Sequence, residues 1–152
     1  MKLDVIDKKI LMLLQKDSKI TNKELSLSLN LSVTAIYERI KKMERSGVIA
    51  HYVALVDKQK VELDFQVFCH VKLAHHGKEA ISSFEKDVIK LDEVLECFHV
   101  SGDYDYLLKV VVKDMEHYRS FMVTKLTALK FIGSTQSSFT ISEVKNTLMV
   151  KV

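Results

Sequence analysis

Cysteine and glycine are both scarce in this 152-residue sequence, which contains two cysteines and four glycines. Cys69 and Cys97 are 28 positions apart with no Cys-x-x-Cys motif, so the sequence encodes neither a disulfide framework nor a zinc ribbon. We interpret both cysteines as small buried side chains. The glycines, at 47, 77, 102 and 133, allow neither a G-x-G-x-x-G fingerprint nor a P-loop. The H-E-x-x-H and G-x-S-x-G motifs are absent as well, so we predict neither catalysis nor a cofactor.

Long apolar runs are also missing. The longest candidates, Ile10 to Leu14 and Tyr52 to Val56, are far shorter than the roughly 18 residues that a membrane span requires. Charged residues between Asp4 and Lys9 interrupt the N-terminal segment, which is therefore unlike a signal peptide. Apolar residues nevertheless make up 47% of the chain, enough to bury a core. We expect a folded cytoplasmic protein of one or two small domains, with no membrane partner.

Charge is distributed unevenly along the chain. Residues 1–60 contain 12 Lys and Arg against 7 Asp and Glu, a net charge of +5, whereas residues 61–152 contain 11 against 13, a net charge of −2. The composition changes near residue 60, and we place a domain boundary there, dividing the chain into 1–60 and 61–152. Such an asymmetry indicates a polyanionic partner for the N-terminal part only.

Three short helices are predicted in residues 1–60. Apolar residues at spacings of three and four favour a helix from about Asp4 to Lys16. After a loop, Thr21 to Glu24 has the form of a capping box, in which each end residue can bond the other's amide, and a short second helix should follow. Asn30-Leu31 should end that helix, and Ser32 is a suitable cap for a third.

The third helix is amphipathic. Val33, Ile36, Ile40 and Met43 are predicted to form its buried stripe, and Gly47 to end it. The alternation of residues 49–56 then predicts a strand.

Two short helices with a tight turn between them, the second carrying a polar and basic outer face, are typical of a helix-turn-helix that enters the major groove of double-stranded DNA. Short hydrogen-bonding groups lie near the start of the third helix, where bases are approached, and cations lie farther along, near phosphates. The start of the second helix offers free amides to a phosphate. The predicted DNA-binding residues are Thr21, Asn22, Lys23, Ser32, Thr34, Ala35, Tyr37, Glu38, Arg39, Lys41, Lys42 and Arg45.

Strand and helix patterns alternate in residues 61–152. Strands are predicted at 65–73, 93–100, 105–113 and 131–141, with helices over about 81–91 and 115–129. The order βαββαβ is that of a ferredoxin-like domain, an antiparallel sheet with both helices on one side. The uncovered face of that sheet, which we expect to include Phe68, Leu108 and Val110, should be covered by a second subunit, so a homodimer is predicted.

Six short motifs are spread over residues 3–49: Leu3-Asp4-x-x-Asp7, Ile10-Leu11, Asn22-x-Glu24-Leu25, Leu31-Ser32, Arg39-Ile40 and Gly47-Val48-Ile49. With these motifs the sequence resembles the leucine-responsive/asparagine regulator (Lrp/AsnC) family of transcription regulators, and the resemblance extends over essentially its whole length. Ser26 and Ser28 depart from the residues usual in the family, at positions away from the expected DNA-facing surface. The resemblance implies an α+β protein with a winged-type helix-turn-helix, a recognition helix from Ser32 to Ser46, a hinge strand from Ile49 to Val56, and dimers that assemble into tetramers or octamers.

The loop Gly102-Asp103-Tyr104-Asp105 looks like the family's effector-binding motif, and Thr135-x-Ser137 like its partner across the dimer–dimer interface. Gly and Asp are ordinary hairpin residues, so the loop alone is a weak signal. With the resemblance, we expect an amino acid effector: the aspartates could accept from its ammonium group, and loop amides and hydroxyls could serve its carboxylate. DNA binding and oligomeric state should then respond to the effector. The predicted effector-binding residues are Val100, Ser101, Gly102, Asp103, Tyr104, Asp105, Thr135 and Ser137.

Two alternatives of the same architecture stay open. One is a regulator that works without an effector. The other is a metal sensor, for which Cys69, Cys97 and His99 are the set that could converge, because alternation along a strand sends Cys69 and His70 to opposite faces. Packed or surface residues are the favoured interpretation, and no metal site is predicted.

Overall fold

The computed structural model describes residues 2–152, which form two compact units. The first contains the residues up to Leu55 together with Lys145–Val152, and the second is Val56–Val144. The sequence predicted a boundary near residue 60 and put the C-terminal segment in the second unit. The difference has a physical cause at Gln15, whose side-chain amide donates to the Val150 carbonyl at 3.0 Å and accepts from its N–H at 2.8 Å. These bonds hold the tail against the first unit.

Three helices build the first unit: α1 (Val5–Lys16), α2 (Asn22–Leu29) and α3 (Val33–Arg45). The predicted capping box at Thr21 is confirmed, and a second one at Asp4 begins α1. Gly47 follows the end of α3 with a φ of 73°, a left-handed conformation that favours glycine. The helices enclose a core of Ile10, Leu11, Leu14, Leu25, Ile36, Ile40 and Met43.

Two expectations for this unit are wrong. Val33 is not part of the buried stripe, since 47% of it is exposed at the first turn of α3, which projects beyond the core. Residues 49–56 form no strand with any described residue, because no neighbouring strand lies beside them, and Tyr52, Val53, Leu55 and Val56 are exposed.

The second unit has the predicted ferredoxin-like order of elements. Its sheet is antiparallel, and both helices pack on one face. The strands lie side by side in the order Val94–His99, Tyr106–Val112, Phe65–Leu73 and Ile132–Phe139. The last turn of the second helix widens into a π-helix, Met122–Leu126. The elements are β1 (Phe65–Leu73), α4 (Lys78–Val88), β2 (Val94–His99), β3 (Tyr106–Val112), α5 (Met115–Phe121) and β4 (Ile132–Phe139).

The residues on the helix-free face of this sheet are not those that the sequence predicted. Leu108 and Val110 are fully buried in the core beneath the helices, whereas Phe68 pairs with Lys109 and lies on the opposite face. Alternation along a strand puts Leu107 and Lys109 on that opposite face, and Phe98, the partner of Leu107, lies there with 50% of its surface exposed. No helix among residues 2–152 has the length and apolarity to cross a membrane.

Candidate DNA-binding and effector-binding sites

The exposed face of α3 carries most of the residues predicted to contact DNA. Ser32 begins the helix by accepting a hydrogen bond from the Ala35 amide at 3.1 Å. Ala35, Arg39 and Lys41 are half-buried. The remaining predicted residues of this segment are exposed, and they are Ser32, Thr34, Tyr37, Glu38, Lys42 and Arg45.

Arg39 is held inside the unit. Its guanidinium donates to Asp7 at 2.6 Å and to Asp4 at 2.7 Å, joining α3 to the start of α1. Hydrogen bonds to Asp4 and Asp7 raise the pKa of Arg39, and the backbone amide of Asp7, followed by Arg39, lowers the pKa of Asp4. Through these bonds Arg39 fixes the orientation of α3 against α1. The sequence alone did not indicate this role.

The other cations of α3 differ in whether a carboxylate already pairs with them. Lys41 donates to Glu44 at 2.8 Å, which raises the pKa of the lysine, and Glu44 also accepts from the Tyr52 hydroxyl at 3.1 Å. Arg45 is 3.9 Å from Glu38 and 73% of its side chain is exposed, while Lys42 forms no ion pair with residues 2–152. Lys42 and Arg45 are therefore the cations of this helix most available to phosphates.

The start of α2 lies at the surface, with Lys23 exposed and Asn22 half-buried. The Thr21 amide and hydroxyl both donate to Glu24 at 2.7 Å, and these bonds lower the pKa of the Glu24 carboxyl. The capping box thus already satisfies the Thr21 amide and the Glu24 amide, which donates to the Thr21 hydroxyl at 3.2 Å, so Lys23 and the amides of residues 22 and 23 are left for a phosphate.

The second candidate site is built around Asp105. This residue closes the loop between β2 and β3, because its carbonyl accepts from the Val100 amide at 2.8 Å and its amide donates to the Val71 carbonyl at 2.9 Å. Its carboxylate accepts from the Leu73 amide at 2.7 Å and lies 3.0 Å from the His76 ring nitrogen. Asp105 is thus fixed against β1, with 17% of its side chain exposed.

Tyr104 links the loop to β4 across the helix-free face of the sheet. Its hydroxyl donates to the Gln136 side chain at 2.5 Å, and its ring lies 5.2 Å from that of His70. Ser101, Gly102 and Asp103 project into solvent, and Gly102 has a φ of 126°, which favours glycine.

Thr135 and Ser137 lie on the opposite face of β4 from Gln136. They pair with Val71 and Cys69, which point into the core, and the Ser137 hydroxyl is 2.6 Å from that of Tyr118 on α5. β1 separates them from the loop. Within one chain, Tyr104 and Gln136 therefore join the loop to β4, whereas the predicted pair of hydroxyls does not meet it.

Sequence reasoning missed His76, Gln136 and Tyr118 in this region. The doublet His75-His76 is visible in the sequence, but the contact of His76 with Asp105 depends on the pairing of β1 with β3. The contact of Tyr104 with Gln136 likewise depends on the pairing of β1 with β4, and local periodicity contains neither register.

Cys69, Cys97 and His99 are dispersed. β3 lies between the strands that carry the two cysteines, and the His99 ring stacks on Tyr106 at 4.7 Å. Burial raises the pKa of Cys97 to about 11 and also raises that of Cys69. Residues 2–152 contain no group of three or more His, Cys, Asp or Glu placed to hold a metal ion.

Comparison with known proteins identifies two domains in the chain. Residues 3–50 match a winged helix-turn-helix DNA-binding domain, and residues 66–150 match the Lrp/AsnC ligand binding domain. The leucine-responsive regulatory proteins of Escherichia coli K12 and Klebsiella pneumoniae are each 40% identical over 151 residues, covering 98% of this chain and 92% of theirs.

Solved structures of similar proteins support the same assignment. A transcriptional regulator from Neisseria meningitidis, in complex with L-Met, superposes with a TM-score of 0.94 at 36% identity, covering 98% of this chain and 96% of that one. An AsnC family regulator from Agrobacterium tumefaciens gives 0.93 at 37% identity, covering 97% and 96%. The chain therefore belongs to the Lrp/AsnC family of DNA-binding transcriptional regulators, with a helix-turn-helix unit and a ligand-binding unit.

Proposed function

We propose that this protein is a transcription regulator that contacts DNA through α2 and α3 and binds an amino acid at the loop from Val100 to Asp105. The observation that carries the effector part is the geometry of Asp105. Its carboxylate is fixed by the Leu73 amide and remains partly exposed beside His76, at the base of a loop whose tip lies in solvent. A fixed carboxylate next to free loop amides suits an ammonium group and a carboxylate on one ligand.

The DNA contacts follow from the exposed face of α3. Thr34, Tyr37 and Glu38 lie on its first turns and would contact base edges, with half-buried Ala35 beside them. Lys42 and Arg45 lie near its end and would neutralise phosphates, as would Lys23 at the start of α2.

Oligomerisation follows from the helix-free face of the sheet. Phe68, Leu107 and Phe98 share that face with the ion pair of Lys109 and Glu96, whose charged atoms are 2.9 Å apart. An apolar group of this kind beside paired charges is suited to a second copy of the chain. We expect a homodimer, and assembly of dimers into tetramers or octamers.

The choice of an amino acid as effector is supported by the L-Met bound to the similar regulator from Neisseria meningitidis. A ligand that binds only the native state raises its stability by about 2.7 kcal/mol at a hundredfold excess over Kd. We therefore expect a thermal-shift screen of the twenty amino acids at millimolar concentration to find one or a few that raise the melting temperature.

Asp105→Ala should abolish this rise, whereas Asp92→Ala, which changes an exposed carboxylate elsewhere on the same unit, should keep it. If no amino acid shifts melting, or the shift survives Asp105→Ala, the effector site is assigned wrongly. If no amino acid shifts melting, a regulator that works without an amino acid effector is the better description, whereas a shift that survives Asp105→Ala would place the bound amino acid elsewhere on the protein.

A further inference from the structure

A cavity of about 470 Å³ lies in the ligand-binding unit at the opposite end of β3 from the loop of Asp105. Its apolar lining includes Val112 and Phe121, both almost fully buried. Its polar lining includes two Lys–Glu pairs, Lys113 with Glu62 at 3.0 Å and Lys125 with Glu93 at 2.5 Å. A cavity with an apolar wall and a few polar groups has the composition of a small-molecule site.

Glu93 is the unusual group of this cavity. Its backbone carbonyl accepts from the Val111 amide at 2.9 Å, which fixes the residue beside β3, and its Oε1 atom accepts from Lys125. Its Oε2 atom is buried and has no hydrogen-bond partner within residues 2–152. A buried carboxylate oxygen without a donor costs free energy, so a donor supplied by a ligand would be bound favourably.

The backbone on one side of the cavity is also unusual. Thr124 and Lys125 both line the cavity and both lie in the π-helix Met122–Leu126. Single π-helical turns are rare and often occur at functional sites. The lysine that bonds Glu93 is thus presented by irregular backbone and not by a regular helix.

The charges of the lining limit the ligand. Glu62 and Glu93 balance Lys113 and Lys125, and the His117 ring, which also lines the cavity, lies 2.8 Å from the Asp114 carboxylate. The lining therefore has no excess positive charge for a phosphate or another strong anion. The free acceptor requires an N–H donor, and Val112 and Phe121 require an apolar group. We propose that this cavity is a second ligand site, which binds a small primary amine with its ammonium on Glu93 and its apolar body on Phe121.

Phenethylamine is a suitable probe, and 3-phenylpropionate, in which a carboxylate replaces the ammonium, is its matched control. In calorimetric titrations of the full-length protein, we expect saturable binding of one phenethylammonium per chain and at least tenfold weaker binding of 3-phenylpropionate. Glu93→Gln should weaken amine binding at least tenfold. Asp87→Asn, which alters the Lys90–Asp87 pair at the end of α4, outside the cavity and away from the helix-free face, should leave it unchanged.

Ser120→Phe gives a test that does not depend on Glu93, because Ser120 is exposed on α5 and lines the cavity. A phenyl group there should block amine binding. Absence of saturable binding, equal binding of the carboxylate, or binding within twofold of native in Glu93→Gln or Ser120→Phe would each overturn the proposal. So would loss of amine binding in Asp105→Ala, since the amine would then occupy the effector loop.

Discussion

Arg39 on α3 donates to Asp7 on α1 over 2.6 Å, and only 6% of the Asp7 side chain is exposed. Asp7 also accepts from the Asp4 amide as part of the capping box of α1. One buried carboxylate therefore begins α1 and anchors α3. The orientation of the helix that would enter DNA depends on this contact.

Removing the cation should destabilise the DNA-binding unit. Breaking a fully buried ion pair costs about 3–5 kcal/mol, and we expect about 2–3 kcal/mol for Arg39→Ala, because the arginine side chain is 32% exposed. Urea denaturation of the full-length protein measures this loss. Arg45→Ala, which removes an arginine of the same helix with 73% exposure, should change stability by no more than about 0.5 kcal/mol. Equal effects of the two substitutions would contradict the anchoring role.

The exposed cations Lys42 and Arg45 should affect the salt dependence of DNA binding. Each phosphate contact contributes about 0.9 to the slope of log K against log salt concentration. Lys42→Ala and Arg45→Ala should each reduce the magnitude of that slope by about one unit for every subunit in contact with DNA, and weaken binding to all sequences alike. Fluorescence anisotropy with duplex DNA at several salt concentrations measures the slope. Lys90→Ala, in the ligand-binding unit, is the control and should leave it unchanged.

Local features of the fold were predictable from the sequence because they depend on neighbouring residues. The capping box of Thr21 and Glu24, the end of α3 at Gly47 and the order βαββαβ all follow from spacings within a few turns. Val33 was misplaced because periodicity gives the face of a helix but not where the core ends.

Contacts between distant residues were not predictable in this way. The bonds of Asp105 with His76, of Tyr104 with Gln136 and of Gln15 with Val150 join residues 29, 32 and 135 positions apart. Each depends on strand register or on the path of the C-terminal segment. The faces of Phe68 and Leu108 were confused for the same reason, since a one-residue change of register moves every side chain to the other face.

The proposed dimer gives a prediction at Phe98, which is 50% exposed on the helix-free face of the sheet. Phe98→Asp puts a charge where we expect a second copy to pack, and burying that unpaired charge would be costly. Light scattering after size-exclusion chromatography should show a shift toward the monomer. Ile89→Asp changes a residue of 79% exposure directly after α4 and should keep the native mass. A native mass for Phe98→Asp would place the dimer interface elsewhere.

The hydroxyl of Tyr104 gives the last prediction, because it donates to Gln136 and ties the effector loop to β4. Tyr104→Phe keeps the ring beside His70 but removes this bond, so the loop would have to be ordered when the effector binds. A hydrogen bond of about 0.5–1.5 kcal/mol corresponds to a loss of about two- to twelvefold in affinity. Calorimetric titration with the amino acid found in the thermal-shift screen measures that loss. Tyr52→Phe removes a similar hydroxyl contact, to Glu44 in the DNA-binding unit, and should leave the affinity unchanged. Unchanged affinity in Tyr104→Phe would show that the loop is ordered without the Gln136 contact, and Asp105 alone would then fix its position.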